Sequence, residues 1–251
     1  MTLGAVPAGF VELQLPKQTW WIKPGWERII STDLAAFQST TGNQQSAISG
    51  GRGAIRRVAL NEQEIAVVRH YCRGGLIRHF VRDLYWDRPP RPFAELMCLE
   101  TARQRGVPTI EVIGAGVRWV TIGLYRGTLV TREATGFINL WEWLCTKPTG
   151  TERQQVITAV AQAIGHLHDA GIAHADLNLT NILVRTTTDL PTVLLIDFDR
   201  ARVFPGPLPR YRRERNLRRL RRSLDKLDPG GLLTSPKDRE VFCQTYQQGS
   251  S

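Results

Sequence analysis

Short apolar runs of strand length dominate the first half of the chain. Residues 54–60 and 64–71 are two such runs, and polar turn residues separate them. Residues 110–131 continue the pattern and predict two or three more strands, with a hairpin turn at Arg126 and Gly127. The first half is therefore expected to be rich in strands.

Helical patterns occur once in the first half and repeatedly in the second. Residues 93–105 place apolar side chains on one face and predict a helix, and residues 138–145 predict a short one. A long helix is predicted after residue 150, where Thr151 and Gln154 fit a capping box. The last long helix is expected to begin near Tyr211.

The order of these elements predicts an α+β protein in two lobes. The strand-rich lobe, with an N-terminal extension, takes residues 1–132. The helix-rich lobe takes residues 133–251 and includes a small hairpin from two apolar runs at 182–184 and 193–196.

Composition restricts the possible partners. The 251 residues are 42% hydrophobic, which is enough for a real core, and the net charge is +10. Such a charge points to a phosphorylated substrate, an acidic membrane surface or nucleic acid. Only five of the 33 basic residues are Lys, and an excess of Arg suits phosphate contacts or reflects a GC-rich genome. No nucleic-acid partner is expected, because no reader motif accompanies the charge.

Cysteine spacing and the lengths of the apolar runs indicate a location. The four cysteines form no CxxC pair, which disfavours a zinc site or a disulfide framework and fits a reducing compartment. No signal peptide is evident, and no apolar run is long enough to span a bilayer. We expect a cytosolic protein that can sit on a membrane surface.

The octet HADLNLTN, at 174–181, places three reactive side chains between two apolar runs. Phosphoryl transfer needs a positioned hydroxyl, metal ions that bridge the phosphates, and cationic groups. Asp176 is the candidate base for the hydroxyl proton. Asn181, five positions later, and Asp197, at the end of an apolar run, are candidate Mg²⁺ ligands. His174 is expected to brace the loop through backbone hydrogen bonds.

HxDxxxxN followed by DF resembles the catalytic loop and metal motif of the protein-kinase-like family. The resemblance implies a two-lobed kinase fold that uses Mg²⁺ and ATP. The alternative is that Asp176 and Asn181 are turn residues and that Asp197 caps a strand end.

The same resemblance implies phosphate-binding groups in the first half. A glycine-rich loop should cover the phosphates, and three glycines match it: Gly50, Gly51 and Gly53. The family usually has a Lys for the α- and β-phosphates, but here Arg69 stands at the matching position. Arg is a wider fork than an ammonium group, and the alternative is that Arg69 is an exposed strand charge.

Two further roles follow from the resemblance. Glu95 is the best candidate to orient the cation at Arg69, and Glu100 is the second. Glu133 falls where the hinge to the second lobe would run, so that backbone groups there would meet the adenine.

Two motifs depart from the family pattern. HAD replaces HRD, so the Arg that reads a phosphorylated activation loop is absent. DFD replaces DFG, and Pro-rich sequence follows without an Ala-Pro-Glu element. These departures indicate a kinase without a phosphorylation switch and favour a small-molecule or lipid acceptor.

Longer phrases narrow the resemblance. They are GGRGA at 50–54, VVRHYCRGGLIRHFVRDLY at 67–85, RPFAE at 91–95, LHDAGIAHADLNLTNIL at 167–183, LLIDFDRAR at 194–202 and NLRRLRRSLDKL at 216–227. Together they resemble the kinases of 3-deoxy-D-manno-octulosonic acid (Kdo), in the lipopolysaccharide kinase group of Gram-negative bacteria. The resemblance implies transfer of the ATP γ-phosphate to a hydroxyl, the 4-hydroxyl, of Kdo on the lipid A precursor. It also implies work at the cytoplasmic face of the inner membrane.

A basic segment at 211–227 fits an anionic membrane surface. Four leucines line one helical face: Leu217, Leu220, Leu224 and Leu227. Seven arginines crowd the remainder: Arg212, Arg213, Arg215, Arg218, Arg219, Arg221 and Arg222. The alternative is a second-lobe helix with its leucines in the core and its arginines in water.

Two other functions stay open. One is a kinase whose acceptor is a heptose or a protein. The other is a non-catalytic, basic membrane-binding module with a kinase shape, a pseudokinase. The missing Lys favours that module, while the retained Asp176, Asn181 and Asp197 count against it.

Overall fold

The structure is a computed structural model that describes residues 5–28, 30, 55–59, 64–71, 84–86, 88–186 and 190–249. Its contacts form two compact units, Met1–Met97 with Glu111–Glu133 and Cys98–Ile110 with Ala134–Ser251. The predicted lobes at 1–132 and 133–251 stay a prediction.

The first unit contains a six-stranded sheet, and four of its strands lie in the apolar runs predicted at 54–60, 64–71 and 110–131. Its strands are β1 (Val11–Leu15), β2 (Gln18–Ile22), β3 (Ile55–Ala59), β4 (Ile65–His70), β5 (Val112–Thr121) and β6 (Leu124–Arg132). They lie in the order β1-β2-β5-β6-β4-β3, and every neighbouring pair is antiparallel. Buried side chains such as Trp20, Val68 and Ile113 form the core on this sheet.

The hairpin of β5 and β6 turns at Ile122 and Gly123, so the predicted turn at Arg126 and Gly127 is wrong. Gly123 has a φ of 81°, in the left-handed region that favours glycine. Gly127 instead lies inside β6, where an added Cβ would come 2.5 Å from Cγ of Pro92. This glycine allows a close approach and does not form a turn.

The helices of the described residues are α1 (Arg91–Gln104), α2 (Leu140–Cys145), α3 (Gly150–Asp169), α4 (Arg210–Leu227) and α5 (Pro236–Gln248). The helices predicted at 93–105 and near Tyr211 are confirmed as α1 and α4. The short helix predicted at 138–145 begins later, because Ile138–Asn139 forms a strand, β7. None of these described helices is both long and apolar enough to cross a bilayer.

The predicted capping box at Thr151 and Gln154 is wrong. Helix α3 begins at Gly150, and its N-cap Thr149 makes no side-chain capping bond. A complete capping box is found instead at Ser235 and Asp238, which start α5. The sequence pattern did not predict α5 as a separate helix, because its apolar positions are few.

Two small sheets of the second unit hold the polar octet. The strands β9 (Ile182–Arg185) and β10 (Thr192–Leu195) form a hairpin, and β7 pairs with β9. The strand β8 (Ile172–Ala173) pairs with β11 (Arg202–Val203). Residues 174–181 therefore connect β8 to β9, and Asp197 follows β10.

His168 lies in the contact between α3 and α5. Its Nδ1 is 2.7 Å from the hydroxyl of Tyr246, and the ring is fully buried. Burial, followed by repulsion from Arg213 and His174, lowers the pKa of His168 to about 3. The folded protein therefore keeps this imidazole neutral.

We expect the free energy of unfolding to fall as the pH decreases from 7 to 5.5. An unfolded histidine binds a proton below its ordinary pKa of 6.5, whereas buried His168 does not until about pH 3. Its contribution to stability is therefore present above pH 6.5 and lost on acidification, by about tenfold in the folding constant per pH unit. Urea unfolding of the wild type and of His168→Gln checks this. In the His168→Gln variant, the slope of the folding constant against pH should be smaller by about one proton than in the wild type.

Candidate functional site

The candidate residues divide between the two units: Arg69, Glu95 and Glu133 are in the first, and Asp176, Asn181 and Asp197 are in the second. The predicted glycine loop, Gly50, Gly51 and Gly53, lies outside the described residues. Each group has its own local geometry.

Arg69 and Glu95 form the predicted pair. Arg69 lies in β4, and its Nη2 donates to both carboxylate oxygens of Glu95 at 2.5 and 2.6 Å. The hydroxyl of Tyr71 donates to the same carboxylate, and the Arg69 guanidinium lies 5.1 Å from the centre of the Tyr71 ring. Glu95 is 2% exposed, whereas Arg69 is 27% exposed. A buried anion thus orients a cation that still reaches solvent.

We expect Arg69→Ala to lower the free energy of unfolding by about 3 kcal/mol, because it weakens the compensation of a buried carboxylate. The double variant Arg69→Ala/Glu95→Gln should be less destabilised than the sum of the single variants. Denaturant unfolding provides the measurement. The matched control is Arg57→Ala, which removes an exposed guanidinium paired with Glu133 and should change stability by less than about 1 kcal/mol. Equal effects of Arg69→Ala and Arg57→Ala would contradict the expectation.

Glu133 follows the last strand of the sheet. Its main-chain N–H donates to the carbonyl of Ile65 at 2.8 Å, and its carboxylate lies 2.6 Å from Arg57. Because that N–H already donates to Ile65, the carbonyl of Glu133 is the main-chain group of this residue that could make the predicted contact with adenine.

The octet is folded by its own side chains. The amide oxygen of Asn178 accepts from the N–H groups of Thr180 and Asn181 at 2.9 and 3.0 Å, and so starts a single 3₁₀ turn at Leu179–Asn181. Leu177 and Leu179 are buried on the opposite side. The buried leucines thus anchor the loop, while Asp176 and Thr180 are exposed.

His174 braces this loop as predicted. The N–H of Asp176 donates to Nδ1 of His174 at 3.1 Å, and Nε2 lies 3.0 Å from the carbonyl oxygen of Ile196. A ring that accepts at Nδ1 carries its proton on Nε2, so His174 is neutral and donates to Ile196. Burial lowers the pKa of His174, although the hydrogen bond to Ile196 and the Asp197 carboxylate oppose this shift. One buried ring therefore joins the octet to the residue before Asp197.

Asp176 is held by its main chain, and its carboxylate is exposed. Its carbonyl oxygen accepts from the side-chain amides of Asn181 at 2.8 Å and Asn178 at 3.2 Å. Within the described part of the chain, the carboxylate itself has no hydrogen bond or ion pair. A side chain so placed is available to an acceptor hydroxyl.

Asn181 and Asp197 are neighbours at the end of the β9–β10 hairpin. The N–H of Ile196 donates to the carbonyl of Asn181 at 3.0 Å, which extends the ladder to the residue before Asp197. The Nδ2 of Asn181 is used by Asp176, so its Oδ1 is the group left to act as a ligand. Asp197 has a φ of 62°, an uncommon conformation for a residue with a side chain.

The chemistry of this pair fits Mg²⁺, which takes one or two protein oxygen ligands together with phosphate oxygens. Over the described ranges, no group of three or more His, Cys, Asp or Glu side chains is placed to hold a metal ion. A Mg²⁺ ion held by Asn181 and Asp197 would take further oxygen ligands from the substrate phosphates.

Helix α4 contributes residues that the motif did not reveal. The amide of Asn216, the buried residue of this helix, donates to the carbonyl of His174 at 2.8 Å. The hydroxyl of Ser223 accepts from the N–H of Leu179 at 3.3 Å. Asn216 and Ser223 are small polar residues two helical turns apart within a run of Arg and Leu, and this spacing was the available signal.

Comparison with solved structures shows the fold. WaaP in complex with acyl carrier protein superposes with a TM-score of 0.61 at 18% identity, over 91% of this chain and 88% of that one. Together with the mixed sheets and helices, this likeness confirms the predicted α+β, kinase-like fold.

Several proteins with similar sequences are named as kinases of 3-deoxy-D-manno-octulosonic acid. A 3-deoxy-D-manno-octulosonic acid kinase of Photobacterium damsela subsp. piscicida is 35% identical over 88% of this chain and 91% of its own length. Those of Mannheimia succiniciproducens and Actinobacillus succinogenes are 35% and 34% identical. The alignments cover 76% and 64% of this chain, and 80% and 66% of those proteins.

The octet and the relatives that are named as kinases define a kinase-like phosphotransferase. A family model covers residues 40–246, and the chain belongs to the lipopolysaccharide kinase (Kdo/WaaP) family. The predicted resemblance to this group is confirmed.

Proposed function

We propose that the protein transfers the γ-phosphate of ATP to a hydroxyl, the 4-hydroxyl, of Kdo on a lipid A precursor. The observation that carries the proposal is the exposed Asp176 carboxylate, held by its main chain beside Asn181 and the residue before Asp197. The identity of the acceptor is inferred from relatives that are named as Kdo kinases.

The residues would divide the reaction as follows. Asp176 accepts the proton of the sugar hydroxyl while the hydroxyl oxygen attacks the γ-phosphorus. The bond between the γ-phosphorus and the oxygen that bridges it to the β-phosphate then breaks and releases ADP. Asn181 and Asp197 would hold Mg²⁺, which neutralises phosphate charge. Arg69, oriented by Glu95, contacts the α- and β-phosphates. Gly50, Gly51 and Gly53, which lie outside the described residues, would contact the phosphates, and the main chain at Glu133 would meet the adenine.

We further propose peripheral binding to the anionic cytoplasmic face of the inner membrane, through α4. The support is charge and exposure: five arginines of the helix are exposed, namely Arg210, Arg215, Arg218, Arg221 and Arg222. The four leucines of its apolar face are only half-buried, so they form neither a closed core nor a bare stripe. Sedimentation with vesicles that contain anionic phospholipid should carry the protein down at low salt and release it at high salt.

The test of the activity is a mass-spectrometric assay. Purified protein is incubated with ATP, Mg²⁺ and Kdo-bearing lipid A precursor, and in parallel with the precursor that lacks Kdo. One added phosphate on the first lipid and none on the second is expected, and omission of ATP or chelation of the metal should abolish the product. NMR of the product assigns the hydroxyl.

Other outcomes distinguish the competing functions. No product with ATP still bound would favour another acceptor, a heptose or a protein. No stabilisation of the protein by Mg²⁺ and ATP would favour a non-catalytic, membrane-binding pseudokinase.

A further inference from the structure

One face of α4 lies against the octet. Its residues there are spaced by three and four positions: Asn216, Arg219 and Ser223. Asn216 donates to the carbonyl of His174 at 2.8 Å, and Ser223 accepts from Leu179 at 3.3 Å. Arg219 lies between them, and its Nη1 is 3.5 Å from the same His174 carbonyl. The helix therefore places the Arg219 guanidinium beside His174, which precedes the candidate base Asp176 by two residues.

The contact of Arg219 with His174 does not account for its presence. Asn216 already satisfies that carbonyl with a shorter bond, and a distance of 3.5 Å is at the limit of a hydrogen bond. Across the described parts of the chain, Arg219 takes part in no ion pair. Most of its five N–H donors are therefore not committed to protein acceptors.

The charges around Arg219 are unfavourable to it. Arg215 and Arg222 lie four positions before and three after, where like charges on a helix repel. Burial, then repulsion from Arg215 and Arg222, lowers the pKa of Arg219, and only Asp176 opposes this shift. A half-buried cation between two others destabilises the free protein. Such a local conflict is typical of a binding site that gains an anion.

We propose that Arg219, flanked by Arg215 and Arg222, binds the carboxylate of the acceptor sugar while Asp176 takes the proton from its hydroxyl. This inference rests on the proposed function and assigns the recognition of the acceptor sugar to Arg219. An arginine fork and a carboxylate match in geometry and can form two parallel hydrogen bonds.

The position of Arg219 favours the sugar carboxylate over a lipid phosphate. A base acts within about 3 Å of the proton that it removes, so the reacting sugar must lie against Asp176. An anion that reaches the neighbouring Arg219 is then on the same sugar. Kdo carries a carboxylate on its own ring, whereas the lipid A phosphates are on other sugars and a simple heptose is neutral. The arrangement would thus distinguish Kdo from a neutral sugar.

The test compares the acceptor with its methyl ester, in which the sugar carboxylate is neutral. The wild type should prefer the acid by at least about tenfold in kcat/KM, the effect of one good charged contact. Arg219→Gln should raise the KM for the acid by a similar factor and abolish the preference, while the KM for ATP stays unchanged. Arg219→Lys, which keeps the charge but loses the fork, should be intermediate. Arg239→Gln, an exposed change of the same charge on α5, should behave as the wild type.

The acid-to-ester ratio is a readout that a purely structural role would not move. A ratio that survives in Arg219→Gln would overturn the proposal, as would a wild type without preference. If the effect of Arg219→Gln disappears when the lipid phosphates are removed, rather than on esterification, the bound anion is a phosphate and the carboxylate assignment is wrong.

Failure of the proposed function would look different. In that case the wild type would phosphorylate neither acceptor, and calorimetric titration with free Kdo and its methyl ester would decide the inference. Tighter binding of the acid by the wild type, lost in Arg219→Gln, would support the carboxylate site. Equal binding, or no binding of the acid, would refute it.

Discussion

Replacing Asp176 with Asn is expected to lower kcat by about 1,000-fold, the contribution of a positioned general base. The fold should survive, because the main chain of this residue, and not its carboxylate, makes the bonds to His174, Asn178 and Asn181. Asn keeps the shape of the side chain and removes its basicity. Stabilisation by Mg²⁺ and ATP in a thermal melt should also survive, since the proposed metal ligands are other residues.

The measurement is steady-state phosphorylation of the Kdo-bearing lipid, with circular dichroism as the check on folding. Glu240→Gln provides the control, because it neutralises an exposed carboxylate on α5 without touching the octet. An Asp176→Asn enzyme within about tenfold of the wild-type rate would remove Asp176 from the role of base, since a base contributes at least about 100-fold.

Asp197→Asn is expected to lower the rate by a comparable factor, about 1,000-fold, through loss of an anionic metal ligand worth several kcal/mol. Asn is the suitable substitution because it tolerates the left-handed conformation at φ 62°, where Ala would add strain. The carbonyl of Ile196 still accepts a hydrogen bond from His174, and the Phe198 ring still packs edge-on against the His174 ring at 5.1 Å between ring centres. The hairpin should therefore keep its geometry.

Thermal melts separate the two aspartates. Asp197→Asn should lose the stabilisation that ATP and Mg²⁺ give to the wild type, whereas Asp176→Asn should retain it. The Mg²⁺ concentration that gives half-maximal activity should also be higher for Asp197→Asn than for the wild type. Near-full activity of this variant at low Mg²⁺ would mean that the metal is held elsewhere.

Local sequence determined the geometry of the octet because its bonds join near neighbours. Asn178 bonds Thr180 and Asn181, and Asn181 bonds the carbonyl of Asp176 five positions back. Contacts across so few residues depend little on the rest of the fold. For the same reason the apolar runs at 54–60 and 64–71 were reliable signals of strands.

The errors came from signals with two physical meanings. A glycine marks a turn or a close approach, and only the packing of Pro92 on Gly127 shows which applies there. A Thr followed three residues later by Gln fits a capping box, but the helix starts one residue before Thr151, at Gly150. Such ambiguities cannot be resolved from the residues next to them.

The spacing of the octet and of Asp197 identified the candidate base and metal ligands, and the resemblance of these motifs to the protein-kinase-like family implied the kinase-like class. The order of strand and helix patterns along the chain predicted the α+β class. The pairing of Arg69 with Glu95, 26 residues apart, was inferred from resemblance, and the tertiary structure brings the two side chains together. Only the tertiary structure placed Asn216 and Arg219 against His174, across 42 and 45 residues. Bringing such distant groups together takes the packing of a whole lobe, whose many weak contacts no single motif records.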